Sequence, residues 1–299
     1  MKIVVAGGSG WIGAALSRSL AADGHEIVTL ARSLGQNPTG RTVLWDGRSL
    51  GPWTSELSGT DAVVNLSGES IASGRWTDER KAGLVRSRIE PTSVLVEAMA
   101  EANPRPTVLV NASAVAYYGD RGDEPLTESG GPGIDFLAQL VAEWEAATWI
   151  ASDVGMRVVV MRNAVVLGPG GGALPQLALP FRLFLGGPIG RGRQWFPWVH
   201  LDDVVGLFRR AIVDPVIEGP INVAAPEPVR MNDFAITLGQ VLGRPSWLPM
   251  PQLLLRVALG ELADYLVTSQ RIVPEKAIRL GYDFKEPRLT HALERALRG

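Results

Sequence analysis

Residues 2–7, KIVVAG, form a short apolar run rich in β-branched side chains and stopped by glycine. That is the pattern of a parallel strand buried on both faces. The next segment, WIGAALSRSLAADG, changes period: Ile12, Leu16 and Leu20 share one helical face and Gly24 ends it. HEIVTLAR then predicts a second strand, TVLWD a third and DAVVNLSG a fourth. Residues 77–102 have helical spacing, with Thr77 or Asp78 placed to cap the start. PTVLVNAS predicts a fifth strand, residues 135–152 a helix, and MRVVVMRNAVVLG a sixth strand and its exit. Strands alternating with helices imply an α/β fold, a doubly wound parallel sheet with helices on both faces.

After about residue 168 the texture changes. The stretch GPGGGALPQLALPFRLFLGGPIGRGRQWFPWVH is rich in Gly, Pro and aromatics and reads as loops and short elements over the sheet edge. LDDVVGLFRRAIVD returns to a helical pattern and GPINVAAP to a strand. The division this suggests is a dinucleotide-binding domain of residues 1–167 plus about 199–240, and a small C-terminal substrate-side domain of 168–198 and 241–299. In the last part, QLLLRVALGELADYLV puts Leu254, Val257, Ala258, Leu262 and Tyr265 near one helical face, and Leu253, Leu255 and Leu266 widen the apolar surface. A helix this apolar is expected to be buried, on the domain core or in a homodimer contact. It lacks the basic polar face of a membrane-surface helix.

Composition narrows the classes of function. The 299 residues are 46% hydrophobic and 20% charged, ordinary for a soluble globular chain with ample core. A formal net charge of -2 points to no nucleic acid and no anionic membrane as partner. The absence of cysteine excludes disulfides, thiolate metal sites and thiol catalysis. The three histidines, His25, His200 and His291, are scattered, so no metal is expected. Neither a signal-peptide pattern nor an apolar stretch of about 18 residues is present, which makes the cytoplasm the default location. The expected partner is a small-molecule substrate or ligand.

One motif carries chemistry. AGGSGWIG spaces Gly7, Gly10 and Gly13 as G-x-x-G-x-x-G, after a predicted strand and at the opening of a helix. The first glycine permits a tight turn, the second lets a pyrophosphate approach the backbone, and the third lets helix and strand pack closely. Ser9, Trp11 and Ile12 belong to the same turn and helix start, whose free N–H groups and partial positive charge suit phosphate. The second strand ends in LARS, with Arg32 where an NAD site usually carries an acid. A guanidinium there favours NADP.

With NLSG on the fourth strand, NASAVAYYG on the fifth and FPWVHLDDVV later, this fingerprint resembles the extended short-chain dehydrogenase/reductases, which include sugar-nucleotide epimerases and dehydratases. SGESIASGRWTDERKAGLVRSRIEPT, YYGDRGDEPLTE, GRQWFPWVHLDD and INVAAPEPV look like one atypical branch, the NADP-binding "epimerase family" proteins. That branch ends in a C-terminal domain of unknown function, which LLLRVALGELADYLVTSQRIVPEKAIRLGYDF resembles. The likeness runs from residue 1 to about 297. Some relatives of the branch are linked to bacterial and plastid division. The resemblance implies that Asp46 contacts adenine, that Leu66, Ser67 and Gly68 pass under the adenine-side ribose and phosphates, and that Asn163, Ala164 and Val165 line the nicotinamide. Each lies at the C-terminal end of a predicted strand, where doubly wound sheets bind ligands.

The resemblance also implies a catalytic Ser or Thr, a Tyr, and a Lys four residues after it. The Tyr exchanges a proton with substrate, and the Lys lowers a Tyr pKa that is otherwise near 10. Aligned on Glu143, the helix DFLAQLVAEWE puts Asp135 at the Tyr position and Gln139 at the Lys position. A shift by one residue gives Phe136 and Leu140, so neither register restores the pair. Arg88 stands where an Asn usually supports the Lys. The remaining catalytic candidates are Ser113, Tyr117 or Tyr118 as replacement acid, and Arg88 as a charge that binds and polarises without shuttling protons. In GRGRQWFPWVH, Arg191, Arg193, Trp195, Trp198 and His200 suit a flat or anionic substrate. Packing under a loop, and His200 joining loop to helix, are the structural alternatives. The function implied is an NADP(H)-dependent oxidoreductase or epimerase-like enzyme of small molecules with non-standard acid/base residues. The alternative is a non-catalytic NADP(H)-sensing or regulatory binding protein, with the link to cell division.

Overall fold

The computed structural model describes residues 1–34 and 39–298. Seven strands form one parallel sheet: β1 (Lys2–Ala6), β2 (Glu26–Ala31), β3 (Arg41–Leu44), β4 (Ala62–Asn65), β5 (Val108–Ala114), β6 (Arg157–Asn163) and β7 (Gly219–Val223). Their order is β7-β6-β5-β4-β1-β2-β3, so the chain reverses direction of growth at β1 and opens a crevice there. Ile3 pairs with Ile27 on one side and with Ala62 on the other.

Burial on both faces explains the apolar runs. Ile3, Val5, Val64 and Val110 meet helices α1 (Trp11–Ala22) and, further along, Leu201–Val213 on one face. Val4, Leu30, Val63 and Leu109 face Leu95 and Met99 of α2 (Asp78–Glu101), and α3 (Phe136–Asp153) closes the same side. The caps are local. Thr77 accepts from Arg80 N–H to start α2, and Asp135 accepts from Ala138 N–H at 3.0 Å to start α3.

The segment read as loops holds one helix, α4 (Leu174–Arg182), because Leu174, Ala178 and Phe181 share a buried face. Short parallel pairing joins Val165–Leu167 to Trp198–His200, which leads into α5 (Leu201–Val213). Helix α6 (Met231–Leu242) ends on Gly243 in the left-handed region and packs with the last helix, Leu289–Arg298, around Phe234, Leu238 and Leu293. The apolar C-terminal stretch departs from expectation. It is two helices, α7 (Gln252–Leu259) and α8 (Leu262–Tyr265), broken at Gly260 with φ 65°. Leu262 is buried, but Leu253, Leu254 and Val257 are 74%, 59% and 70% exposed, so core burial of the whole face is corrected. An apolar count fixes that a face wants cover, not that its own chain supplies it. Among the described residues no helix is long and apolar enough to cross a membrane.

Candidate functional site

The crevice at β1 begins with the glycine turn. Gly7 has φ 76°, and a Cβ there would lie 2.8 Å from the carbonyl carbon of Leu66. A Cβ on Gly13 would stand 2.5 Å from Gly7 O, so only glycine lets α1 approach the end of β1 this closely. Gly10 caps α1 without a side chain, and the first turn of α1 holds no acidic residue. The helix N-terminus is therefore left open to an anion. Trp11 turns away from the crevice and donates from its indole to Pro169 O at 2.9 Å, while Ile12 packs on the core. These two side chains aim the helix; they do not line the cleft.

From this turn a cleft of about 930 Å³ extends over β2 and β3. Gly7, Ser9, Gly10, Arg32, Asp46, Leu66, Ser67 and Gly68 line it, as do Trp45, Trp53, Arg48, Arg86, Glu90 and Pro91, which the sequence reading missed. The WD and GPW tryptophans were the available signal: Trp45 and Trp53 meet edge-on at 5.2 Å and wall the far end. Arg32 is exposed at the end of β2 and makes no ion pair among the described residues. Asp46 accepts from Arg48 N–H (2.8 Å), Ser49 N–H (3.0 Å) and the Ser49 hydroxyl (2.6 Å). The Ser49 hydroxyl first, then the two amides, hold its carboxyl down at about 2. Arg48 reaches Glu90 at 3.2 Å. The buried Ser67 hydroxyl has no hydrogen-bond partner among the described residues. A floor of glycines, an open helix end, an unspent arginine and an orphaned hydroxyl fit the adenosine and phosphate portion of a dinucleotide.

Arg88 lies beneath the same turn. Its guanidinium donates to Glu69 O at 2.8 Å and Leu84 O at 3.1 Å and sits 5.4 Å over Trp144. Among the described residues no carboxylate pairs with it, and burial pulls its pKa down to about 10, so it is still a cation at neutral pH. Its carbon stem and guanidinium stand 3.4 Å from where a Gly68 Cβ would be. It backs the Gly68 turn with positive charge.

The ends of β5 and β6 look different. The Ser113 hydroxyl points into the protein and donates to Glu145 at 2.5 Å. Glu145 is gripped by Arg162 through two bonds of 2.9 and 2.8 Å. Arg162 donates to the Tyr118 hydroxyl at 2.9 Å, which donates to Asn222 at 2.7 Å. Burial pushes the Tyr118 phenol up to about 12 in spite of the Arg162 charge. Ser113 and Tyr118, 4% and 0% exposed, are thus parts of a buried lock; neither faces the crevice as a proton donor. Tyr117 differs. It is half-buried, its ring lies 3.6 Å from the Arg162 guanidinium, and its hydroxyl has no hydrogen bond among the described residues.

Burial separates the two glutamates of α3. Glu143 is exposed, and Gln139 is exposed and donates to Ile134 O. Asp135 is spent as the α3 cap. Glu145, two residues further on, is the carboxylate that turns inward. Counting back four and eight residues from it gives Val141 and Leu137. Both are buried and cluster with Trp76, Leu140 and Leu262, against Ala114, Tyr117 and Phe136. Both positions belong to apolar core.

Asn163 donates to Ser113 O (3.2 Å) and Met161 O (3.0 Å), and its buried carbonyl oxygen has no partner; Ala164 is buried and Val165 begins the short strand. In the following loop Arg191 and Arg193 are exposed, and Trp195 donates to Asp123 at 2.9 Å under the Arg230 guanidinium at 3.9 Å. Trp198 and His200 are each 1% exposed, which corrects their assignment to a substrate. His200 accepts from Asp202 N–H to cap α5, and burial lowers its pKa.

Comparison with known proteins agrees with this anatomy. The model of the NAD dependent epimerase/dehydratase family matches residues 3–224, and that of a domain of unknown function, DUF1731, matches 250–296. The chain is 39% identical to the chloroplastic epimerase family protein SDR39U1 homolog of Arabidopsis thaliana, over 98% of this chain and 86% of that one. It superimposes on the crystal structure of human epimerase family protein SDR39U1 with NADPH, with TM-score 0.92 and 36% identity over the full length of both. A nucleoside-diphosphate sugar epimerase of Corynebacterium glutamicum matches with TM-score 0.82 and 36% identity, over 99% of this chain and 58% of that one. A family model that spans most of the chain, on a sheet whose crevice carries the glycine turn, decides the classification: this chain belongs to the NAD dependent epimerase/dehydratase family.

Proposed function

We propose that this chain is an NADP(H)-dependent oxidoreductase of a small molecule that works without the Tyr and Lys of its wider family. The observation that carries the reading is the junction of two surfaces at β1. An open cleft with Arg32, a cation without an ion pair among the described residues, runs one way, and the ends of β5 and β6 lie the other way, where a dinucleotide spanning the crevice puts its nicotinamide. The human relative crystallised with NADPH supports the choice of cofactor. Arg32 would hold the 2′-phosphate, the α1 N-terminus and Ser67 the pyrophosphate region, and Arg88 would add charge from below. The bound cofactor supplies a hydride.

Epimerisation is the weaker chemistry for this site. It requires a base to take a carbinol proton before hydride leaves, and beside Ala114, Leu137 and Val141 the described residues of that cluster offer only the Tyr117 and Tyr265 hydroxyls, neither with a lysine four residues after it. A regulatory NADP(H)-binding protein is the second reading, favoured by the enclosure of Ser113 and Tyr118 in the Glu145–Arg162 lock. The test is a titration of the purified protein with NADPH followed by a panel of carbonyl acceptors. Tight NADPH binding with turnover of at least one acceptor supports the oxidoreductase. Tight binding with no turnover across the panel moves the regulatory reading ahead, and absence of NADPH binding removes both.

A further inference from the structure

Helix α2 carries two arginines two residues apart, and the helix sends them different ways. A step of two residues is a turn of about 200°, so Arg86 and Arg88 lie on nearly opposite sides. Arg88 shares the side of Leu84, Leu95 and Met99, three buried residues. Arg86 belongs with Gly83, Ser87 and Glu90 to a stripe spaced i, i+3, i+4 and i+7, and all four line the cleft of about 930 Å³. Beside Gly83 the cleft is open: a Cβ there would meet nothing within 4 Å. The cleft also takes in the end of β2, with Arg32, and the turn after β3, with Asp46 and Arg48.

Most charges that line this cleft are spent on one another. Arg48 pairs with Glu90 at 3.2 Å, and Glu69 pairs with Arg80. Asp46 is satisfied inside its own turn by the Arg48 and Ser49 amides and the Ser49 hydroxyl. Arg86 is exposed and makes no ion pair, hydrogen bond or ring contact among the described residues. Arg32 has no ion pair among them either. One cavity is thus lined by two guanidiniums that no carboxylate of the described residues pairs with.

Resting on the NADP(H) reading above, we propose that Arg86 is a second specificity-determining residue for the cofactor and grips its 2′-phosphate together with Arg32. A phosphate monoester carries about −1.5 to −2 charges at neutral pH. A single guanidinium offsets only one of them, and a second completes the balance. The pyrophosphate has other partners: the open N-terminus of α1, and the Gly68 turn that Arg88 backs with charge. Arg86 is the cleft-lining cation left for the remaining phosphate. Its planar fork matches phosphate oxygens two at a time. In solvent an unpaired guanidinium stays hydrated, so the empty cleft tolerates both cations. NAD offers a neutral 2′-hydroxyl at the same place, which gives a second cation nothing to pair with. The contact therefore discriminates between the two cofactors and does not merely strengthen both.

The experiment titrates the full chain by calorimetry with four probes: NADPH, NADH, 2′,5′-ADP and 5′-AMP. Arg86→Gln should weaken NADPH and 2′,5′-ADP about tenfold and leave NADH and 5′-AMP within about twofold of the parent. Arg86→Lys, which keeps the charge without the fork, should fall between parent and Arg86→Gln for the two 2′-phosphorylated probes. Added salt should narrow the gap between parent and Arg86→Gln, because a pairing at an open cleft is screened. Parental affinity for 2′,5′-ADP in Arg86→Gln overturns the assignment and leaves the cofactor reading standing. An equal loss for NADPH and NADH puts Arg86 on another part of the cofactor and overturns it as well. A parent chain that binds neither NADPH nor 2′,5′-ADP removes the cofactor reading, and the role of Arg86 with it.

Discussion

Around Gly7 and Arg32 polar groups stand unspent among the described residues: a helix end without a side-chain cap, a guanidinium without an ion pair and a buried hydroxyl without a partner. At the ends of β5 and β6 one buried network consumes most of the polar groups. Ser113, Glu145, Arg162, Tyr118 and Asn222 satisfy one another, the Asn163 carbonyl oxygen and the Tyr117 hydroxyl are left over among the described residues, and the apolar cluster of Leu137, Val141 and Trp76 packs against Ala114. Unsatisfied groups held in place are costly, and they persist where a ligand completes them. Satisfied ones make structure. The contrast is between a cleft that keeps polar groups open to a ligand and strand ends where a buried network has closed most of them.

Breaking the lock should have the largest effect. Glu145→Ala strands the buried Arg162 charge, and a loss of about 3–5 kcal/mol in chemical denaturation is expected. A loss below about 1 kcal/mol would mean that the network is not structural. Next is the turn. Gly13→Val puts atoms where Gly7 O stands and should weaken NADPH at least 100-fold, about 2.7 kcal/mol, with circular dichroism unchanged. Wild-type affinity in that variant would place the cofactor elsewhere.

The third reads Tyr118 through pH. Its folded pKa, about 12, lies above the usual 10, so the folded chain holds this proton more tightly than the unfolded one. The stability this contributes is complete below pH 10 and is lost as pH rises through 12, up to about 2.5 kcal/mol. Tyr118→Phe should flatten that part of the pH–stability curve, and parallel curves for the two proteins would argue that the phenol is not enclosed. Smaller again is Arg32→Glu, which should reduce an NADPH preference over NADH of at least tenfold, about 1.4 kcal/mol, toward parity. Gln139→Ala should change NADPH affinity by less than twofold, since the side chain is in solvent. A larger change would return Gln139 to the site.

Legibility followed the range of the determining contact. The turn, Arg32 and the strand ends are local patterns and stand where the periodicity puts them. The catalytic register was not local. Two glutamates lie two residues apart on α3, and Arg162, 17 positions away in the chain, decides which of them turns inward. The inward turn of Ser113 likewise depends on which face of β5 meets α3. Trp45 and Trp53 come together only after β3 and the following turn have folded. Trp198 and His200 read as a binding loop because aromatic composition does not distinguish a lid from a core.

The most direct test divides the ligand as the protein divides the site. 2′,5′-ADP and nicotinamide mononucleotide are titrated separately by calorimetry against the full chain. The expected result is 2′,5′-ADP binding within about tenfold of NADP⁺ and the mononucleotide at least 100-fold more weakly than 2′,5′-ADP. Equal affinity for the two halves, or tighter binding of the mononucleotide, would contradict a site whose recognition lies in the Gly7–Arg32 cleft.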